Sequence, residues 1–254
     1  MHILSSKLTR PMPPPRIVDR PHLYDLFDQW RTKRVVFVHA PAGYGKSTLS
    51  SRWIEVSGLS SQVAWLSLDP GDDDPTQFLR YLTAALEPVI PGIAFAVEPL
   101  LDGPEEHPVR VLEVLLGMIG RDPHISDENP LLLVLDDLHQ VDSPALAPLM
   151  TLFLERCPTQ LHLMLLGRLA TYGPLTRLYA ADQVLDLSEV ELRFQPDEME
   201  TYLVQRDFPP LTPEMLARLD ARTEGWIVVL QLIAMTAGKT RDIEKLLALS
   251  LIHI

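Results

Sequence analysis

A single cysteine, Cys157, occurs in the 254 residues, so neither an internal disulfide framework nor a multi-cysteine zinc site can form. Cys157 is expected as a small residue closing a helix. No apolar run approaches the roughly eighteen residues needed to cross a bilayer. The first residues, Met1-His2-Ile3-Leu4-Ser5-Ser6, lack the basic-then-apolar order of a secretory signal. These absences lead us to expect a reducing, cytoplasmic setting and no membrane partner. Positive charge is scarce as well: 22 Lys and Arg stand against 34 Asp and Glu, a formal net charge of −12. A duplex of phosphates would be repelled by that field, which makes this stretch a poor nucleic-acid surface.

What is present is an ordinary globular mixture, 46% hydrophobic and 22% charged, long enough for one large domain and a smaller one. Residues 1–20 include Arg10-Pro11-Met12-Pro13-Pro14-Pro15-Arg16. Such a run forms neither a helix nor a central strand and predicts an extended arm on the surface. From there short apolar runs at 34–39, 63–68, 131–135, 161–166 and 184–187 alternate with segments of helical spacing. Examples are Phe78, Tyr81, Leu82, Ala85 and Leu86, and then Leu146, Leu149, Met150, Phe153 and Leu154. Strands apolar on both faces, alternating with helices, predict an α/β fold with a parallel sheet covered by helices. Residues 89–108, rich in proline and glycine, predict a long surface loop. Beyond residue 191 the strands stop, and helical periodicity at 196–205, 213–221 and 225–237 predicts a small C-terminal helical module. The expected divisions are an arm at 1–20, a main domain at 21–190, a helical lid at 191–248 and a tail at 249–254.

The most specific motif is Ala40-Pro41-Ala42-Gly43-Tyr44-Gly45-Lys46-Ser47-Thr48, a P-loop between a predicted strand and a predicted helix. Its glycines let successive backbone N–H groups curl inward around phosphates. Lys46 reaches the β- and γ-phosphates, and the Ser47 hydroxyl is placed to ligate magnesium. The following helix, with Leu49, Trp53, Ile54 and Val56 on its apolar side, points its positive end at the same anion. The pattern normally begins with glycine; alanine at position 40 suits any conformation without positive φ. The ligands expected here are ATP or ADP with Mg2+.

A second element is Leu131-Leu132-Leu133-Val134-Leu135-Asp136-Asp137, a buried strand with two carboxylates at its C-terminal end, where α/β sheets bind ligands. Asp136 would hold the magnesium through water, and Asp137 would orient or deprotonate an attacking water. The alternative for Asp137 is to cap the following turn. Arg168 follows the strand at 161–166. In P-loop ATPases with an acidic strand end, one further strand lies between the P-loop and acidic strands, and its tip carries a polar residue facing the γ-phosphate. Arg168 suits that place, since its fork matches phosphate oxygens, and an ordinary surface arginine is the alternative.

Taken together these residues resemble the MalT-like ATP-dependent transcription regulators, STAND-class signalling ATPases that often end in a LuxR-type helix-turn-helix. The resemblance rests on Lys7-Leu8-Thr9-Arg10-Pro11, Arg16-Ile17-Val18-Asp19-Arg20 and the P-loop version with a non-glycine first position. It continues through Trp65-Leu66-Ser67-Leu68-Asp69, Asp72-Asp73-Asp74-Pro75 and Leu138-His139-Gln140-Val141. Glu191-Leu192-Arg193-Phe194 and Glu224-Gly225-Trp226 complete it. It places Arg168 where the family carries its sensor arginine. It also implies a switch in which ADP locks a closed monomer, inducer and ATP favour a self-associating form, and slow hydrolysis resets it. Inducer and DNA would then be bound through C-terminal sensor and DNA-binding domains that lie outside this sequence. Val18 and Arg20 could border an adenine pocket, or the arm could be a structural strap. The resemblance also implies that Gly225-Trp226 could sit near the nucleotide base, although Ile227 stands where relatives carry a proline. For the Trp226 side chain core packing with Val229, Leu230 and Ile233 is the preferred reading, and for His139 a hydrogen-bonded packing role. A free-standing signalling ATPase without DNA binding is a second reading. A P-loop small-molecule kinase is a third, disfavoured because paired acids ending an inner strand suit water activation. The tail Leu249-Ser250-Leu251-Ile252-His253-Ile254 has no capping logic, and is expected to be non-native sequence read from a library adapter.

Overall fold

The computed structural model describes residues 3–101 and 108–236. The expected tail at 249–254 and the end of the helical module lie outside these residues. Five strands form one sheet: β1 Val35–His39, β2 Val63–Ser67, β3 Leu131–Asp136, β4 Leu161–Gly167 and β5 Val184–Leu187. Their order is β2-β3-β4-β1-β5, with every pairing parallel. The predicted α/β class therefore holds. Each residue of β1 and β3 is buried, as expected of strands covered on both faces.

Eleven α-helices are assigned among the described residues. They are α1 Pro21–Phe27, α2 Lys46–Val56, α3 Pro75–Leu86, α4 Ile93–Leu101, α5 Pro108–Ile119 and α6 Ala147–Arg156. Then follow α7 Thr176–Ala180, α8 Glu189–Leu192, α9 Pro196–Val204, α10 Pro213–Thr223 and α11 Ile227–Thr236. Alternate strand residues divide the core, as the two-residue period of a strand requires. Val35, Phe37, Leu133, Leu135, Leu163 and Leu165 pack with the helices α3 to α6. Val36, Val38, Leu132, Val134, Met164 and Leu166 pack with α1, α2 and the turn at Trp30. Trp53 is fully buried there, 5.2 Å from the Phe27 ring, and its indole donates to Asp28 at 2.8 Å. This anchors the P-loop helix to the sheet. Val56, assigned from sequence to the same apolar side, is 48% exposed at the helix end.

A third cluster joins Val18 of the arm to Phe194, Met199, Tyr202, Leu203, Leu219 and Leu230 of the C-terminal helices. Proline opens both α9 and α10, and the Thr212 hydroxyl accepts from the Met215 N–H to cap α10. None of the described helices is long and apolar enough to cross a membrane.

Two expectations fail. Much of the predicted loop at 89–108 is α4, because Ile93, Val97 and Leu101 recur every fourth residue and are buried, while Pro99 sits on the exposed side near its end. Residues 102–107 lie outside the description. The arm is not extended throughout either: Ser5–Leu8 forms a 3-10 turn packed on β2 and α3. Lys7 is buried there in an ion pair with Asp72, over the Tyr81 ring at 3.9 Å. Cys157 does close α6, buried, with burial pushing its thiol up to about 12.

Candidate functional site

β1 delivers the chain directly into the glycine loop. Ala40 is buried, its N–H donates to the Gly167 carbonyl at 3.3 Å, and its φ is not positive, so a methyl group is tolerated where glycine is usual. Gly43 and Gly45 have φ of 82° and 77°, a region open to glycine at no steric cost. Gly45 is the N-cap of α2, and no side chain caps that helix end. Its first amides are therefore free to receive an anion.

Lys46 folds back over the loop, donating to the Ala40 carbonyl at 2.7 Å and the Pro41 carbonyl at 3.0 Å. Burial lowers its pKa, as does the nearby Arg168 charge, against the opposing pull of Asp136 and Asp137. The Ser47 hydroxyl donates to Asp136 Oδ1 at 3.0 Å across the gap between α2 and β3. Burial raises the Asp136 pKa; the Ser47 bond pulls it down and the Asp137 charge raises it further. The pair would suit a magnesium ion held by the Ser47 hydroxyl directly and by the Asp136 carboxylate through water. Among the described residues no three His, Cys, Asp or Glu side chains cluster as a closed metal cage.

β4 lies between β3 and β1, and Arg168 follows its last residue, Gly167. Arg168 is exposed and makes no hydrogen bond or ion pair among the described residues, while its charge acts on Lys46 and His139. Asp137 has a left-handed backbone (φ 56°) and its side chain, 48% exposed, does not cap the turn that follows. The capping alternative is not what the side chain does. His139 is hydrogen-bonded, as expected, between its Nε2 and Gln140 Nε2 at 3.4 Å, while its buried Nδ1 has no hydrogen-bond partner and lies 3.8 Å from Asp137 Oδ1. Burial, then the Arg168 charge, lower its pKa.

Beside the loop is a cavity of about 110 Å³ lined by Ile17 and Val18 of the arm, Thr48 and Leu49 of α2, and Phe194 and Ile227 of the C-terminal helices. Arg20 fixes this arrangement. Its guanidinium pairs with buried Glu198 at 2.9 Å and donates to the Leu192 and Arg193 carbonyls at 2.8 and 2.7 Å. Gly225, with φ 72°, lets the start of α11 approach: an added Cβ would lie 2.7 Å from the Phe194 carbonyl oxygen. Trp226 is not a core residue. Its indole N–H donates to the Ala42 carbonyl at 3.0 Å, and its ring stacks on Tyr44 with centroids 6.4 Å apart and planes at 20°. Sequence reasoning missed the roles of Phe194, Tyr202 and Ile227 as cavity walls, although Phe194 and Trp226 lie within the motifs it singled out.

No family model matches the chain. Bacterial transcription regulators are similar to it, among them the following two. The chain is 32% identical over 241 residues to the HTH-type transcriptional regulator MalT of Serratia proteamaculans, covering 94% of this chain and 26% of the regulator. It is 31% identical over 236 residues to that of Yersinia enterocolitica, covering 92% and 25%. The chain is MalT-like. It spans about a quarter of the length of these relatives. Among the solved structures that share the chain's fold are two at 15% identity. One is a signal transduction ATPase with numerous domains (STAND) carrying a tetratricopeptide repeat sensor, from Pyrococcus horikoshii. Its TM-score is 0.56, covering 89% of this chain and 31% of that one. The other is Cdc6p from Pyrobaculum aerophilum, with a TM-score of 0.51, covering 95% and 68%. The kinship and the fold support a nucleotide-binding regulatory module.

Proposed function

We propose that this chain is the ATP-binding, slowly hydrolysing switch module of a signal-responsive transcription regulator. The observation that carries the reading is the contact between Ser47 and Asp136 beneath a glycine loop, with an arm-and-lid cavity alongside. In this reading residues 40–48 cradle the phosphates, and the cavity at Val18, Leu49 and Phe194 takes the adenine. Ser47 and Asp136 hold magnesium, which supplies neutralisation of β- and γ-phosphate charge. Lys46 leaves the Ala40 and Pro41 carbonyls for the phosphate oxygens. Asp137 orients the attacking water and accepts its proton, and Arg168 faces the γ-phosphate. Residues 21–190 form the ATPase domain, and 191–248 form a lid whose position follows the nucleotide.

The proposed setting is cytoplasmic. Self-association belongs to the ATP state, with inducer and DNA engaged by regions beyond this sequence, consistent with the net charge of −12. Calorimetry with magnesium and ATP or ADP tests the core of the reading, with Lys46→Ala as the comparison. Binding by the wild type and a loss of about 10- to 150-fold in the variant are expected, since Lys46 supplies a charged contact to phosphate. Unchanged affinity in Lys46→Ala would overturn it. Phosphate release without an added acceptor would separate the switch from a kinase.

A further inference from the structure

We propose that Trp226 is a positioning residue for the phosphate cradle, and that its indole N–H sets the direction of the Gly43 amide. The inference rests on the nucleotide reading above. Three successive carbonyls of the loop are held by donors: Ala40 and Pro41 by Lys46, and Ala42 by Trp226. In a trans peptide the C=O of one residue and the N–H of the next point in opposite directions. The indole bond to the Ala42 carbonyl therefore turns the Gly43 N–H away from Trp226. That amide has no hydrogen-bond partner among the described residues, and it belongs to the row expected to wrap phosphate.

The two ties behave differently when an anion arrives. Lys46 must leave its carbonyls to reach phosphate oxygens, whereas Trp226 keeps Ala42 and holds the amide direction while the lysine moves. The stack on Tyr44 fixes the indole plane. Val228, two residues on, closes against Gly43, where an added Cβ would lie 2.3 Å from its Cγ2. Residues 42, 43 and 44 are thus each touched by Trp226 or Val228, at the start of α11. Because the tie spans the loop and the C-terminal helices, docking of those helices and polyphosphate binding favour one another reciprocally.

The test is competition against a fluorescent ATP analogue bound to the full chain, using inorganic tripolyphosphate and adenosine as separate competitors. Trp226→Phe keeps an aromatic ring for Tyr44, smaller than the indole, and loses the N–H. It is expected to weaken tripolyphosphate about three- to tenfold, the worth of one neutral hydrogen bond, with adenosine unchanged. Equal tripolyphosphate affinity in variant and wild type overturns the inference, as does an equal loss for both competitors. A wild type that does not bind the analogue sinks the nucleotide reading itself and this inference with it. Should Trp226→Phe not fold, wild-type fluorescence carries the same question. Trp30, Trp53 and Trp65 are buried and Trp226 is half-exposed, so tripolyphosphate alone is expected to change the emission through Trp226. Unchanged emission at saturation overturns the proposal.

Discussion

Gly43 and Gly45 share a left-handed backbone but differ in surroundings, and that difference predicts unequal costs for the same substitution. An alanine at either position carries a backbone penalty of about 1–2 kcal/mol for positive φ. At Gly45 a new Cβ meets nothing within 4 Å, so Gly45→Ala costs that penalty alone. At Gly43 it would lie 2.3 Å from Val228 Cγ2 and 2.8 Å from Trp226 Nε1. Relieving those overlaps adds about 1–3 kcal/mol, the usual cost of overpacking. Gly43→Ala is therefore expected to lose about 2–5 kcal/mol, and to fall below Gly45→Ala in a urea titration of nucleotide-free protein. Adding Val228→Ala removes the nearest overlap, so the double variant should recover part of the gap, with a coupling of about 0.5–3 kcal/mol. Identical midpoints for the two glycine variants, or no recovery in the double variant, would refute the close approach of α11 to the loop.

Asp136→Asn is expected to raise the melting temperature of nucleotide-free protein, because burial opposes the ionised carboxylate. The same change should weaken magnesium-dependent ATP binding roughly 10- to 100-fold, as followed by calorimetry with and without the ion. Asp137→Asn should leave ATP affinity within about threefold and slow phosphate release about 10²- to 10⁴-fold; unaltered release would remove Asp137 from the chemistry. Arg20→Ala strands Glu198 inside the protein and is expected to cost about 3–5 kcal/mol, measured by urea unfolding.

The sheet was legible because its strands are short and β-branched or leucine-rich, and because its inner strands, covered on both faces, read as continuous apolar runs. The neighbours Ser47 and Asp136 could be named from motif spacing, since a strand, a glycine loop and a helix fix one partner, and a strand end fixes the other. The helix over Ile93–Leu101 was hidden by composition: prolines and glycines around it outweighed the recurrence of Ile93, Val97 and Leu101. Trp226 was misplaced for a different reason. Ile227, Val228, Val229, Leu230 and Leu232 make α11 apolar around most of its circumference, so periodicity cannot say which face meets the core and which meets the loop. The cavity joins residues more than 170 positions apart through Arg20, and local pattern carries no trace of such a pairing.

The strap formed by residues 5–20 has a practical corollary. Its turn lies against the outermost strand β2, its middle accepts a hydrogen bond from Ser51 of α2, and its end is stitched to Gln205, Arg206 and Glu198. One cut by a protease between Pro11 and Arg16 would therefore be felt at opposite ends of the molecule. The margin of the sheet would be freed to pair with other chains, and the C-terminal helices would lose a tether. Resistance of that segment to limited digestion thus offers a gauge of whether the whole assembly is shut.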